Sequence, residues 1–192
     1  MTQSHFSTAL FTANVFAAVT LAAMAQAETP CDTTMMQGSI AQLSATHATV
    51  STSILISASA ADVWATLSDF ENISNWSTGT LQHLTGDIRD GGQVEIVFLF
   101  GVDDDGKPIA HNIQHTLAFE EGKSFGWSDP CPADIGGGRD NHMYRVQPCG
   151  EGTLSVQTDE ITGNPYAANF AKQLMPLYQV FNADLKAEIE RE

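Results

Sequence analysis

Residues 54–76 read ILISASAADVWATLSDFENISNW, and this stretch decides how the rest of the chain must be arranged. It begins as a strand, because isoleucines alternate with other side chains over residues 54–57. Ser59 stands three residues before Asp62, a capping-box pattern that starts a helix. That helix carries the apolar side chains of Val63, Trp64 and Leu67.

A second capping pattern follows directly. Ser68 stands three residues before Glu71, which predicts another short helix that ends near Trp76. Two helices of about two turns each do not persist alone in water, because nucleation costs more than so few hydrogen bonds return. The pair must therefore rest on a larger structure supplied by the rest of the chain.

Strand patterns recur at short spacing before and after these helices. The predicted strands are 48–57, 80–88, 93–101, 109–120, 124–129, 141–148 and 153–162. Glycine-containing turns, such as those at Gly91 and Gly106, join them. Seven strands connected in this way predict an antiparallel meander that only the two short helices interrupt.

The period of the apolar residues changes to helical after Gly163. Apolar side chains then recur every three or four residues and form a stripe about 20 residues long. The stripe comprises Phe170, Leu174, Leu177, Tyr178, Phe181, Leu185 and Ile189. Pro176 falls inside the stripe, so we expect a kink or a broken first turn near residues 173–174.

This order of elements resembles that of the START-like, Bet v 1-like (SRPBCC) superfamily, and especially its bacterial polyketide cyclase and lipid-transport branch. The resemblance rests on residues 54–76 and on the closing segment FNADLKAEIE at 181–190. It implies an α+β helix-grip domain over 47–192, in which a seven-stranded antiparallel curved sheet and a long C-terminal helix enclose a cavity. Residues 28–46 show no firm periodicity and are predicted to form a tail.

Residues 1–27 contain no charged side chain, and the run from Ala9 to Ala25 is apolar and small. The triplet at 25–27, Ala-Gln-Ala, has the small-x-small form of a signal-peptidase site, although no Lys or Arg follows Met1. A transmembrane anchor is the weaker interpretation, because polar residues interrupt a short run. We therefore expect a cleaved signal peptide over 1–27 and a periplasmic or secreted protein without a stable membrane anchor.

The composition limits the classes of partner. The chain has 8 basic and 23 acidic residues, a formal net charge of −15. Such a surface repels phosphate backbones and anionic membranes, so nucleic-acid binding is excluded. The acidity favours solubility, and a docking face for a protein partner is the alternative.

The resemblance implies an apolar cavity for a lipid-like or aromatic ligand. Strand alternation and the helical stripe indicate which side chains face it, although plain core packing is the simpler interpretation for each apolar one. The predicted ligand-binding residues are Phe98, Phe100, Ile113, His115, Trp127, His142, Tyr144, Val156, Phe170, Leu174 and Tyr178. Polar groups on an inner face need partners, so the His and Tyr side chains indicate a partly polar cavity.

Acid–base chemistry is the serious enzymatic alternative. His142 and Tyr144 share a strand face, and Glu160 lies on the neighbouring strand, so they could move protons together with His115. Metal binding is not expected, because His111 and His115 would be separated by about 13 Å along a strand. No cofactor is expected either.

Three functions follow from these patterns. The first is an exported protein that binds a small hydrophobic or amphipathic molecule without turnover. The second is a cyclase- or dehydratase-like enzyme, and the third is an accessory protein that docks on a periplasmic dehydrogenase.

Three cysteines in an exported protein leave one unpaired. Cys131 and Cys149 end successive antiparallel strands and should lie at opposite ends of the sheet. In the fold that the chain resembles, the first strand pairs with the seventh. That pairing implies a disulfide between Cys31 and Cys131 if residues 32–47 fold back over the sheet, with Cys149 as the free thiol.

Overall fold

The computed structural model describes residue 31 and residues 38–128 and 130–191. Eight strands and two helices follow one another in these parts of the chain. They are β1 (Ser39–Ser44), β2 (His47–Ile56), α1 (Ala60–Leu67), β3 (Leu81–Gly86), β4 (Gln93–Val102), β5 (Pro108–Glu120), β6 (Ser124–Trp127), β7 (His142–Cys149), β8 (Gly152–Thr162) and α2 (Ala167–Ile189). Single 3-10 turns lie at Ile73–Asn75 and Ala133–Ile135.

The strands form one antiparallel sheet in the order β1-β2-β8-β7-β6-β5-β4-β3. The α+β helix-grip architecture is confirmed, with eight strands instead of seven. The additional strand, β1, lies in the region predicted to be a tail. It pairs with β2, with Ser39 opposite Ser51. Its side chains are almost all exposed, and therefore it shows none of the apolar alternation that marks a half-buried strand.

The predicted start of α1 is confirmed. The Ser59 side chain accepts a hydrogen bond from the backbone N–H of Asp62 at 3.2 Å. The predicted second short helix is present as the 3-10 turn Ile73–Asn75, which ends at Trp76, but its predicted start at Ser68 is wrong. The hydroxyl of Ser68 donates to the carbonyl oxygen of Trp64 at 2.8 Å and closes the end of α1, and only the turn at 73–75 follows. Serine serves either end of a helix through local hydrogen bonds, so the capping pattern alone was ambiguous.

The C-terminal half of α2 and the helix α1 enclose a hydrophobic core against the sheet. Phe181 and Leu185 are fully buried there, together with Val63 and Leu67 of α1. The Trp64 ring contacts the ring of Phe125, with centroids 6.3 Å apart. Its Nε1–H donates to the Glu121 carboxylate at 2.9 Å. This end of the molecule is held by apolar burial, which is worth roughly 1.5–3 kcal/mol per large side chain.

The helix α2 runs without interruption through Pro176, so of the two predicted alternatives the broken first turn is wrong and the kink stays a prediction. Proline removes one backbone N–H and leaves the carbonyl oxygen four residues earlier without its donor. Both Pro176 and Lys172 are exposed, so this gap in the hydrogen bonding lies on the solvent side of the helix.

The predicted Cys31–Cys131 disulfide is wrong, because Cys31 pairs with Cys149 at a Cα–Cα distance of 5.3 Å. Because β1 runs antiparallel to β2, the start of β1 lies toward the end of the sheet where β2 stops. At that end Ile56 lies opposite Thr153, and Cys149 lies opposite Gly152. The unpredicted strand therefore moves Cys31 to the other end of the sheet, and Cys131 is the free thiol.

The predicted signal peptide over 1–27 lies outside the described residues. Within the described parts of the chain, no helix combines the length and apolar character needed to span a membrane.

Candidate functional site

A cavity of about 220 Å³ lies between the sheet and the N-terminal half of α2. Strands β3 to β8 supply most of its wall, α2 supplies one side, and the segment between β6 and β7 supplies the rim. The lining residues are Thr80, Leu81, Phe98, Phe100, Ile113, Gln114, His115, Trp127, Pro130, Cys131, Pro132, Ile135, Asp140, His142, Tyr144, Asp159, Ile161, Phe170, Leu174 and Tyr178.

The cavity brings together every predicted ligand-binding residue except Val156. Strand alternation placed the side chains of β4, β5 and β7 correctly, because each of those strands has one face toward the cavity. The three predicted side chains of α2, Phe170, Leu174 and Tyr178, lie on the wall as well.

Two residues predicted for the site on β8 lie elsewhere. Val156 packs with Cys149 and Leu154 on the far side of the sheet. Glu160 is half-exposed, and His47 Nε2 lies 2.9 Å from its Oε1. Side chains on both faces of β8 are buried, so its sequence shows no alternation that would indicate which face lines the cavity. An error of one residue moves a whole strand's side chains to the opposite face.

The polar wall of the cavity contains one continuous hydrogen-bond chain. Gln157 Nε2 lies 2.8 Å from His142 Nε2, and the Tyr178 hydroxyl lies 3.4 Å from His142 Nδ1. The same hydroxyl donates to Asp159 Oδ2 at 2.9 Å. One proton arrangement gives both nitrogens of His142 a partner: the Gln157 amide donates to Nε2, and Nδ1–H donates to the tyrosine oxygen.

Burial sets the charge of this chain. Burial lowers the pKa of His142 to about 3, with a smaller contribution from His115, so the imidazole is neutral. Burial also raises the pKa of Asp159 to about 7, and the nearby Asp140 carboxylate raises it further. The Tyr178 hydroxyl acts in the opposite direction by donating to the ionised form. Asp159 is therefore poised to exchange a proton near neutral pH.

Aromatic rings surround this polar chain. The ring centroid of His142 lies 4.7 Å from each of the rings of Trp127, Tyr144 and Tyr178. The His115 ring stacks on the Trp127 ring, with the two centroids 5.3 Å apart. The Trp127 ring thus contacts both histidines. In the part of the chain that the structure describes, no group of three or more His, Cys, Asp or Glu side chains has the geometry to hold a metal ion.

The family model described as polyketide cyclase / dehydrase and lipid transport matches residues 47–190. The chain belongs to this family. No curated protein sequence matches it significantly.

Solved structures with a similar fold support the architecture. The di-domain ARO/CYC BexL from the BE-7585A biosynthetic pathway aligns with a TM-score of 0.59 and 11% identity, over 78% of this chain and 52% of that protein. The di-domain ARO/CYC StfQ from the steffimycin biosynthetic pathway gives 0.56 and 11%, over 76% and 51%. Protein NE0264 from Nitrosomonas europaea gives 0.54 and 14%, over 74% and 94%. The chain thus spans about half of each di-domain protein, and the likeness shows the fold.

The sequence analysis did not identify several polar residues of this site. Asp159 and Gln157 are both buried on the cavity side of β8, at 3% and 0% exposure. Asp140 and Cys131 lie on the wall next to Asp159, and the Cys131 Sγ is 3.9 Å from Asp140 Oδ1. The signal that would have found them is the sequence QTDE at 157–160: two acidic residues in succession on a strand must face opposite sides.

Proposed function

We propose that this protein is an exported binding protein that holds a small hydrophobic or amphipathic molecule in its internal cavity, without turnover. The observation that carries the proposal is the cavity itself, which has a mostly apolar wall with several aromatic rings and which α2 covers. Concave, mostly apolar sites with a few converging polar groups are typical of small-molecule binding. Membership of a family that includes lipid-transport proteins agrees with this function.

The volume of the cavity supports a compact ligand. A cavity of about 150 Å³ accommodates one benzene ring in a protein core, and this cavity measures about 220 Å³. A molecule of one or two rings fits that space. A lipid with two long acyl chains does not, so we favour a small aromatic or alicyclic ligand.

Export is supported by two features. The disulfide between Cys31 and Cys149 is compatible with an oxidising compartment, and the uncharged, small-residue stretch at 1–27 has the composition of a signal peptide. N-terminal sequencing of the protein recovered from a periplasmic extract should begin at Glu28; an intact residue 1 would contradict export with cleavage.

Ligand binding is tested first by native mass spectrometry of freshly purified protein, which should show a co-purifying molecule of low mass. Uptake of naphthalene, a fluorescent probe with two fused rings, then tests the cavity directly. We expect Leu174→Trp to abolish naphthalene uptake, because the larger side chain fills the space beneath α2.

Gln173→Trp is the matched control, since residue 173 is exposed on the same helix. This variant should bind naphthalene as the unmodified protein does. Equal uptake by Leu174→Trp, with an unchanged circular dichroism spectrum, would show that no binding site lies beneath the helix.

A cyclase- or dehydratase-like enzyme is the second candidate, and one observation favours it. Asp159, with its pKa raised to about 7, is linked through Tyr178 to His142 inside the cavity. A buried acid that titrates near neutral pH is suited to proton transfer. In this function Asp159 takes the part that the sequence suggested for Glu160. Conversion of a polyketide-like substrate that disappears in Asp159→Asn and persists in Glu160→Gln would establish the enzyme.

A further inference from the structure

We propose that the cavity selects a ligand with a protonated amine, and that the amine pairs with the carboxylate of Asp159. This inference rests on the proposed binding function and defines the chemistry of the ligand's polar end. It combines three independent observations: an unused carboxylate oxygen, the charges of the wall, and the arrangement of the aromatic rings.

The first observation is the unused oxygen of Asp159. The side chain is 3% exposed, and its Oδ2 accepts the Tyr178 hydroxyl at 2.9 Å. Its Oδ1 is buried and accepts no hydrogen bond from any residue that the structure describes. The backbone N–H groups of Asn141 and Glu160 lie near the carboxylate and lower its pKa, but each donates its hydrogen bond to the other's carbonyl oxygen, at 3.0 and 3.2 Å.

Asp159 lines the cavity, and rotation of its carboxylate would turn the unpaired Oδ1, which is itself buried, toward a bound ligand. A buried acceptor that is left unsatisfied loses its hydration without compensation, and the loss is larger for a charged group. A donor on the ligand offsets that loss, and a charged donor makes the stronger hydrogen bond. Asp159 therefore rewards a ligand that donates a hydrogen bond and carries positive charge.

The second observation is the charge of the wall. Two carboxyl groups, those of Asp140 and Asp159, line the cavity, and none of its described lining residues is Lys or Arg. A ligand carboxylate would enter without a cationic partner and would meet two like charges. A cation would meet attraction from both carboxylates, in a protein whose formal net charge is −15.

The third observation is the aromatic surroundings of the acid. His142 lies directly opposite Asp159 in the sheet. Its ring contacts those of Trp127, Tyr144 and Tyr178 at 4.7 Å each. Aromatic rings around a carboxylate exclude water and lower the local dielectric, which strengthens the attraction between the carboxylate and a cation. Rings around a carboxylate thus form a site that recognises an alkylammonium group better than a neutral hydroxyl.

The charge state of Asp159 makes the selectivity dependent on pH. The titratable groups that face it are Tyr178 on α2, His142 and Tyr144 on β7, and Asp140 and Cys131 in the segment between β6 and β7. His115 on β5 lines the same cavity. An alkylamine stays protonated between pH 5 and pH 8, as a lysine side chain does. Since Asp159 ionises within this interval, amine affinity should increase as the pH rises.

The test compares three ring-sized probes of equal shape: benzylamine, benzyl alcohol and benzoate, titrated by calorimetry at pH 8. We expect benzylamine to bind at least about tenfold more tightly than benzyl alcohol, a ratio that corresponds to one charge-assisted hydrogen bond. Benzoate should bind more weakly than the alcohol. Benzylamine affinity should also fall between pH 8 and pH 5, while that of the alcohol should stay constant.

Asp159→Asn is the decisive variant, because it removes the charge and keeps the shape of the side chain. It should abolish the preference for the amine and retain binding of benzyl alcohol. Glu160→Gln is the matched control: it makes the same chemical change on the next residue, which lies on the other face of β8 and contacts His47. It should keep the preference of the unmodified protein.

The outcomes separate this inference from the binding function. Equal affinity for amine and alcohol, or tighter binding of benzoate, would overturn the amine inference and leave the binding function standing. If none of the three probes and no naphthalene binds, the binding function itself fails. Should Asp159→Asn not fold, the pH dependence of benzylamine binding in the unmodified protein decides, since a constant affinity contradicts the proposal.

Discussion

The two halves of α2 lie on the same sheet and produce opposite kinds of interior. The C-terminal half, with Phe181 and Leu185, closes a continuous core of buried apolar side chains. The N-terminal half, with Phe170, Leu174 and Tyr178, covers a cavity with a buried acid in its wall. The difference lies in what fills the space between helix and sheet. At the closed end α1 is inserted, whereas at the open end only the segment between β6 and β7 lies at the rim.

This comparison indicates how one architecture separates stability from binding. Close packing gives a side chain contacts in every direction, whereas a side chain on a cavity wall has none on one side. The closed end should therefore contribute most of the free energy of folding. The open end is free to hold polar groups that destabilise the unliganded protein, because the closed end maintains the fold.

The largest effect expected from this difference is that of Trp64→Ala. It should lower the free energy of unfolding by about 3–5 kcal/mol, the range for buried aromatic truncation, since Trp64 is 5% exposed and its Nε1–H pairs with Glu121. Phe170→Ala on the cavity wall should cost only about 1–2 kcal/mol, because a half-buried ring makes fewer contacts.

Urea unfolding of both variants measures this contrast. Tyr166→Ala is the control for loss of an aromatic ring at an exposed site, since Tyr166 is 52% exposed, and it should change stability by less than about 0.5 kcal/mol. Equal losses for Trp64→Ala and Phe170→Ala would mean that the open end is packed as closely as the closed one.

The disulfide is the next strongest contribution. The bond between Cys31 and Cys149 closes a separation of 118 residues and fixes the chain beside the closed end of the sheet. Removing a native disulfide costs roughly 2–5 kcal/mol, mainly through the entropy of the unfolded chain. Cys149→Ser should destabilise the oxidised protein within this range, and Cys131→Ser should not. Non-reducing peptide mapping that links Cys31 to Cys131 would contradict the pairing.

Much of the fold could be predicted from local patterns. Ser59 and the apolar side chains after it specified α1, and alternation specified β4, β5 and β7, because each has one buried face. The strand β1 could not be predicted, since its side chains are exposed and backbone pairing with β2 supplies its stability. Because this strand was not predicted, Cys31 was expected at the wrong end of the sheet. The predicted disulfide pairing was wrong for the same reason.

The polar part of the site was harder to predict than its apolar wall. Ten wall positions follow from the periodicity of strands and helix, whereas Val156 and Glu160 were placed on the wrong face of β8. Side chains on both faces of that strand are buried, so hydrophobicity carried no information about direction. Asp159 became recognisable only when the pairing of β8 with β7 placed it beside His142.

The smallest expected stability effect is the pH dependence of unfolding that Asp159 causes. It also tests the open end most directly. Its pKa is raised in the folded protein from 3.8 to about 7, so between these values the folded state binds more protons than the unfolded state. Stability due to this group therefore falls as the pH rises through that interval. His142 acts in the opposite direction, because its pKa is lowered to about 3 and the unfolded chain binds the proton below pH 6.5.

The difference between Asp159→Asn and the unmodified protein isolates the contribution of the acid. Asparagine does not titrate, so the variant should gain stability relative to the unmodified protein between pH 4 and pH 8. Full burial of the charge corresponds to at most about 4 kcal/mol, and access of water to the cavity reduces the expected gain to about 2 kcal/mol. Glu160→Gln should change stability by less than about 1 kcal/mol over this range, because it removes only the partly exposed ion pair with His47. A constant difference between Asp159→Asn and the unmodified protein across this pH range would show that the carboxyl group is hydrated, and the cavity wall at Asp159 would then resemble a surface rather than an enclosed site.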